Sequence, residues 1–428
     1  MPGHKGKALL GAEPWDITEI DGADVLYSAD GIIKESEDIA SSLFHTAHSF
    51  YSTEGSTLTI KAMLTLAVQN SDDSERPLIL AARNAHKAFL YGAALLDMEI
   101  EWMYPEPFSH LCRCEITADI LREHLTKSSR MPCAVYITSP DYLGQMIDIR
   151  ALSAVCREFS VPLLVDNAHG AYLNFLSPSL HPIALGADAC CDSAHKTLPV
   201  LTGGAYLHIS PNAPASFTEN ARNALALFAS TSPSYLILQS LDLCNRYLSD
   251  GYTEKLRACI HNIEKVKSKM REQGFCPEKS EPLKIVLNTA KYGYTGDEFC
   301  DHLHRFHVVP EFYDKEYLVL MITPENSDTD FERLEMAFSS ISPQNELKSI
   351  TCLPSKSSSH LSAREALLSN QEIISVEKAE GRICAAPSVS CPPAVPIVIS
   401  GEKITRDAIA LFKLYGIERI AVMKNILF

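Results

Sequence analysis

Asp148-Ile-Arg-Ala-Leu-Ser-Ala-Val-Cys-Arg-Glu-Phe-Ser-Val-Pro-Leu-Leu-Val-Asp166 is the stretch that decides the fold. Its first half puts Leu152, Val155, Cys156 and Phe159 at i, i+3, i+4 and i+7, one face of a helix that begins at Asp148. Val161 to Val165 then reads as a fully apolar strand that stops at Asp166. A helix followed by a strand buried on both faces is the repeating unit of a mostly parallel sheet covered by helices. The same alternation extends from about Ser56 to His208, with Pro77–Ala82 and Cys133–Thr138 predicted as strands and His86–Leu96 as a helix. In open sheets of this kind ligands bind beyond the carboxyl ends of the strands. Asp166, Thr138 and Ser139 therefore stand where chemistry is expected.

Beyond about Ser230 the texture changes to longer amphipathic helices, such as Tyr252–Gln273, with strands near Ile285–Leu287 and Tyr317–Ile322. This predicts a large domain over residues 1–245 and a smaller α+β domain over 246–428. Pro354 to Ser362 reads as a mobile loop before a helix from Ala363 to Leu368.

The composition is that of a globular protein, 46% hydrophobic and 21% charged over 428 residues. A net charge of -15 offers no basic field for nucleic acid or an anionic membrane surface. No apolar run approaches the roughly 18 residues that a membrane span needs. The apolar stretch from Ala8 to Ala12 is too short for a signal sequence. Thirteen cysteines, including the adjacent Cys190 and Cys191, form no disulfide pattern and imply reduced thiols in the cytoplasm. No G-x-S-x-G elbow, P-loop or G-x-G-x-x-G motif occurs. The groups His302, His304, His307 and His110, Cys112, Cys114 lack zinc-site spacing, so no metal is expected.

Three segments carry unusual chemistry: Glu54-Gly-Ser-Thr57, Asp166-Asn-Ala-His-Gly170 and Asp192-Ser-Ala-His-Lys-Thr197. Ser56 and Thr57 at a helix start offer hydroxyls and free N–H groups to a phosphate dianion, although such residues also serve simply as caps. Asp166 at a strand end has the charge to keep a pyridine nitrogen protonated; a turn carboxylate is the plainer alternative. His169 and Gly170 behind it favour the first reading. Lys196, just past Ala187–Cys191, is predicted to lie in a cleft where burial makes its amine nucleophilic toward an aldehyde. Ser193 and His195 beside it add a second phosphate hydroxyl and a proton donor. A site for pyridoxal 5'-phosphate needs all three kinds of segment.

These motifs, taken in order, resemble the Orn/Lys/Arg decarboxylases, in the short form without an N-terminal wing domain. The resemblance runs from Pro2-Gly-His-Lys-Gly6 and Asp16-Ile-Thr-Glu19 through Gly55-Ser-Thr57, Arg83-Asn-Ala-His-Lys87, Asp166-Asn-Ala-His-Gly-Ala171 and Ser193-Ala-His-Lys-Thr-Leu198. It continues to Glu380-Gly-Arg-Ile383, Pro392-Pro-Ala-Val-Pro396 and Gly401-Glu402. The chain begins within the first motif, so a few residues are expected to precede it.

The resemblance implies fold type I, the aspartate-aminotransferase-like architecture, with residues 345–428 forming a family C-terminal region. It implies that Lys196 bears the cofactor as a Schiff base and that Asp166 binds the pyridine nitrogen. His86 would stack on one face of the ring, Ala168 would pack on the other, and Ser56, Thr57 and Ser193 would hold the phosphate. His195 would lie beside the Schiff base, and Glu402 would face a cationic substrate side chain. The expected reaction is decarboxylation of arginine, lysine or ornithine in polyamine biosynthesis, by a homodimer or higher oligomer. An aminotransferase, other α-carbon chemistry on this cofactor, or a non-catalytic paralogue are the rival readings. The chain departs from the family at Asn167, near Glu54 and at Ser400, positions that bear on substrate choice.

Overall fold

The computed structural model describes residues 2–71, 76–105, 108–348, 361–387 and 394–424. Seven strands form the main sheet: β1 (His48–Ser52), β2 (Leu78–Ala82), β3 (Glu99–Met103), β4 (Ala134–Thr138), β5 (Leu163–Asp166), β6 (Ala189–Asp192) and β7 (Ala205–Ile209), in the order β1-β7-β6-β5-β4-β2-β3. The five strands from β6 to β3 are parallel, while β7 runs antiparallel to both β6 and β1. The register pairs Thr138 with Asp166 and Asp166 with Cys191, so these strands end side by side.

The helix read from its periodicity spans Ile149–Glu158, and the Asp148 carboxylate caps it by accepting from the Ala151 N–H at 3.0 Å. Such a cap contributes about 1 kcal/mol. Strand β5 starts at Leu163 rather than Val161, because Pro162 between them has no N–H to give to a ladder. Helix Gly55–Gln69 is apolar nearly all round and buries every residue from Leu58 through Ala67 except the half-buried Lys61, which suits an element enclosed by the sheet and by helices Lys87–Leu95 and Ala215–Ala226.

Two further antiparallel sheets follow. One joins β8 (Lys284–Asn288), β9 (Phe312–Tyr313) and β10 (Tyr317–Met321); the other joins β11 (Gln371–Ser375), β12 (Cys384–Ala386) and β13 (Arg419–Met423). One apolar core links Phe44, Tyr172 and Tyr206 under the main sheet to Phe275, Leu320 and Phe338 around the second. The division expected between residues 245 and 246 falls inside the helix Tyr235–Ser249. The third sheet has its own core, built on Val376, Cys384, Phe412 and Val422.

That last unit is tied to the main sheet by Arg83, which donates to the carbonyls of Pro396 and Ile397 at 2.8 and 3.0 Å. The Lys87 N–H, an orphan of the first helical turn, donates to the Ala394 carbonyl at 3.0 Å. The C-terminal segment thus reaches the carboxyl ends of the strands. Pro392 and Pro393, and residues 354–360 of the expected loop, lie outside the described residues. Ser362 caps the helix Ala363–Leu367 that follows. Among the described residues no helix is long and apolar enough to cross a membrane.

Candidate active site

A cavity of about 290 Å³ opens at the carboxyl ends of β2, β4 and β5. Ser56, His86, Asp166, Ala168, His169 and Lys196 all line it. Asp166 is 3% exposed, and its carboxylate accepts from the Tyr136 hydroxyl at 3.1 Å and from the Ala168 N–H at 3.2 Å. Lys196, in the short helix Ala194–Thr197 after β6, places its Nζ 2.9 Å from His169 Nε2. The Ser193 hydroxyl donates to that of Ser56 at 2.8 Å, so the two segments that carry them meet at the N-terminus of helix Gly55–Gln69. Gly203 makes that meeting possible. At its φ of +100° the carbonyl accepts from the Gly55 N–H at 2.7 Å, and a Cβ there would lie 2.7 Å from the Thr53 carbonyl oxygen.

The Orn/Lys/Arg decarboxylase major-domain profile matches residues 6–286, and the profile of that family's C-terminal domain matches residues 345–417. The chain belongs to the Orn/Lys/Arg decarboxylase family. The Bacillus subtilis protein YaaO is 29% identical over 418 residues, covering 92% of this chain and 84% of its own length. An arginine decarboxylase of the same organism is 27% identical over 449 residues, covering 96% and 89%. The constitutive lysine decarboxylase of Escherichia coli shares the fold, with a TM-score of 0.76 and 16% identity over 99% of this chain and 79% of that one. Lysine decarboxylase LdcF of Francisella novicida matches at a TM-score of 0.79, with 16% identity over 99% and 78%. The fold is that of type I pyridoxal-phosphate enzymes, and the chain is an amino-acid decarboxylase by family.

In this decarboxylase the other expected site residues take distinct places. His86 is the N-cap of helix Lys87–Leu95, where Nδ1 accepts from the Ala88 N–H at 3.1 Å while the ring faces the cavity. Thr57 lies exposed in the first turn of helix Gly55–Gln69. The His195 Nδ1–H donates to the Gly204 carbonyl at 3.0 Å, so the imidazole that meets the Lys196 amine is that of His169. Glu402, 5% exposed, accepts from the Ile399 N–H at 2.8 Å and lines a separate cavity with Glu99, Glu101, Tyr104 and Glu365. Burial raises its carboxyl above the usual range although Arg83 pulls it down.

Several contributors escaped sequence reasoning. Tyr136 is a hydroxyl inside an apolar strand, a signal that was available. Asn84, inside the Arg83–Lys87 motif but given no role there, also lines the Lys196 cavity, as do Tyr142 and Glu311, which arrive from distant segments with no motif. Behind the site, Asp192 is fully buried between His181 Nε2 at 3.0 Å and His208 Nε2 at 3.2 Å, and it accepts from the Asn167 amide at 2.6 Å. Burial alone would raise the Asp192 carboxyl, but the two imidazoles hold it below the usual range. A buried carboxylate needs such partners. Through Asn167 it fixes the turn between Asp166 and His169, where a Cβ at Gly170 would lie 2.0 Å from the Asn167 Oδ1.

Burial lowers Lys196; Asp166 opposes this and Lys284 reinforces it. Burial also lowers His169 well below 6.5, with the charge of Lys196 adding to the effect, and takes His86 down to about 4. The unfolded chain would protonate His86 near 6.5 and the folded one only near 4, so the unfolded state binds more protons in that window. Stability is therefore lost as pH falls through it. His86→Asn removes this contribution, and from about pH 7 to about pH 5 the cofactor-free wild type should lose roughly 1–2 kcal/mol more than the variant. Denaturant titrations at the two pH values measure this, and equal losses would show that His86 is not held neutral by the fold.

Proposed function

We propose that this chain releases CO2 from a basic amino acid, with pyridoxal phosphate held covalently at Lys196. The observation that carries the reading is the convergence of an amine, a buried carboxylate, an imidazole ring and paired serine hydroxyls on one cavity. The donor set fits that cofactor. Orphan buried atoms point to a ligand as well, because Asn84 Oδ1 and Thr138 Oγ1 have no protein partner and both residues line the cavity. When bound, the cofactor supplies an electron-poor ring that accepts the pair left as the Cα–carboxylate bond breaks.

The chain's own residues do the rest. Ser56, Thr57 and Ser193 hold the phosphate at a helix N-terminus, whose dipole favours an anion. Asp166 keeps the ring nitrogen protonated, with Tyr136 and the Ala168 amide fixing its carboxylate. His86 and Ala168 confine the ring on its two faces. His169, kept neutral by burial, accepts a hydrogen bond from Lys196 Nζ and orients that amine for proton delivery to Cα. Arginine is the first substrate to try, since the relative matched over 96% of this chain is an arginine decarboxylase.

The experiment is direct. Purified protein mixed with the aldehyde should gain a visible band that borohydride abolishes, and it should release CO2 and the corresponding amine from arginine, lysine or ornithine. A protein that stays colourless, or that acts only when a keto acid is supplied, overturns the reading.

We also propose a cytoplasmic homodimer. Supporting it, the cysteines among the described residues are all free, and Leu9, Leu10 and Trp15 near the N-terminus are 88%, 94% and 65% exposed. A second subunit would cover such an apolar patch. Light scattering should give twice the chain mass of 47.2 kDa, and a monomer mass would sink the proposal.

A further inference from the structure

One fully buried cation has no part in the roles above. Lys284 opens β8 on the second sheet and pairs with the Glu281 carboxylate at 2.9 Å, both side chains being 1% exposed. A buried ion pair adds little net stability, because stripping water from the two ions offsets their attraction. The Lys284 Nζ also donates to the carbonyls of Tyr142 and Asp141 at 3.3 and 3.5 Å, and the Glu281 N–H donates to the Gly144 carbonyl at 2.7 Å. Residues 281–284 of the second sheet therefore clasp the turn at residues 141–145, which follows β4 of the main sheet.

The clasp reaches the site through Tyr142, whose side chain lines the Lys196 cavity. Lys284 Nζ lies 5.5 Å from the centre of the Tyr142 ring, a contact that desolvation strengthens. The same ring stands edge-on to the His169 imidazole at 5.0 Å, and His169 Nε2 meets Lys196 Nζ at 2.9 Å. Cation, phenol ring, imidazole and reactive amine are thus packed in series from the second sheet to the cavity.

We infer that Lys284 is a positioning residue for the reaction, which holds the turn at residues 141–145 and, through the Tyr142 ring, the imidazole that orients the Lys196 amine. This rests on the decarboxylase reading of the cavity and gives the second sheet a part in it. The charge of Lys284 acts along with its shape. Burial leads in lowering the Lys196 amine, Asp166, Glu311 and Cys191 raise it, and Lys284 works with burial. Burial likewise leads in lowering His169, with Lys196 and Lys284 adding to it. Facing Lys284 itself are the carboxylates of Glu281 and Asp141 and the thiol of Cys112.

The test uses cofactor-loaded wild type and the double variant Lys284→Met with Glu281→Gln, which removes both charges and keeps the volume. The visible cofactor band is followed against pH beside kcat and KM for the best basic amino acid. Without the cation the pH at which the band is half developed should rise by about 0.5 of a pH unit or more. With the imidazole less firmly held, kcat should fall roughly 10-fold while KM changes less than about 3-fold. Lys284→Arg, which returns the charge, should bring the band midpoint back toward that of wild type. Leu287→Val loosens β8 without touching the clasp, so it should lower the denaturation midpoint and leave the band midpoint and kcat in place. Should the double variant fail to fold, Glu281→Gln alone leaves Lys284 as an uncompensated cation and should move the band midpoint down. A band midpoint unmoved in the folded variants overturns the inference, as does a Leu287→Val protein that reproduces the band shift and the loss of kcat, which would make the clasp merely structural. A wild-type protein that takes no cofactor, or releases no CO2 from any basic amino acid, removes the decarboxylase reading as well, whereas a wild type that does both while the variants match it removes this inference alone.

Discussion

Lys196→Ala is expected to abolish covalent capture of the aldehyde and to lower CO2 release roughly 1,000-fold or more, because no other residue supplies the same amine. Lys196 Nζ meets His169 Nε2 at 2.9 Å, and the cavity it faces also holds Asp166. A neutral amine is the attacking species, and burial favours that state by disfavouring the ammonium. Lys284 is the buried lysine nearby, but it is engaged with Glu281 and with the carbonyl of Tyr142 at 3.3 Å, so it is no substitute. The variant should fold, since alanine suits the short helix Ala194–Thr197 and leaves the Ser193–Ser56 hydrogen bond intact. It should still bind the phosphate end of the cofactor, seen as a free-aldehyde absorbance that borohydride treatment does not attach to protein. Added methylamine should restore a small part of the turnover by replacing the missing amine. A modified peptide elsewhere in the chain, with activity preserved, would remove Lys196 from its role.

What could be read from the sequence follows from how local each feature is. The helix Ile149–Glu158 and strand β5 each declare themselves within a few residues, one by its period and the other by continuous apolarity. The segments that carry Ser56, Asp166 and Lys196 were equally legible, because each places its chemistry at a strand end or a helix start. Pairwise geometry was not. That His169 rather than His195 meets Lys196 depends on which way a four-residue helix turns, and the Gly204 carbonyl decides it. The buried contacts of Asp192 join Asn167, His181 and His208 across three segments, and no spacing within any of them predicts the others. Glu311 lies beyond the boundary drawn at residue 245, yet it shares a cavity with Lys196 because the apolar core continues into the second sheet. Glu402 was singled out by resemblance alone, and the fold sets it against Ile399 on a different cavity wall.

Asp166→Asn should separate capture of the cofactor from its use. The two side chains have the same shape, so the variant keeps the contact with the Ala168 N–H or the Tyr136 hydroxyl, though not both in their present form. An amide must present its NH2 to one of these donors, a mismatch that costs about 1–3 kcal/mol in a buried site. The fold should survive that, with a shifted denaturation midpoint and an unchanged circular dichroism spectrum. The charge is lost completely. In a pocket where the carboxylate is 3% exposed, removing it should let the ring nitrogen lose its proton, and turnover should fall roughly 100-fold or more. Covalent attachment at Lys196 should persist, because it needs only the amine and the aldehyde. Asp166 also pulls the Lys196 amine up against the effect of burial, so the amine should become still easier to deprotonate in the variant. The pH at which the visible band is half developed should accordingly move down. A midpoint that stays in place or rises would mean that Asp166 does not act on the Lys196 amine, and normal turnover in this variant would take Asp166 out of the reaction.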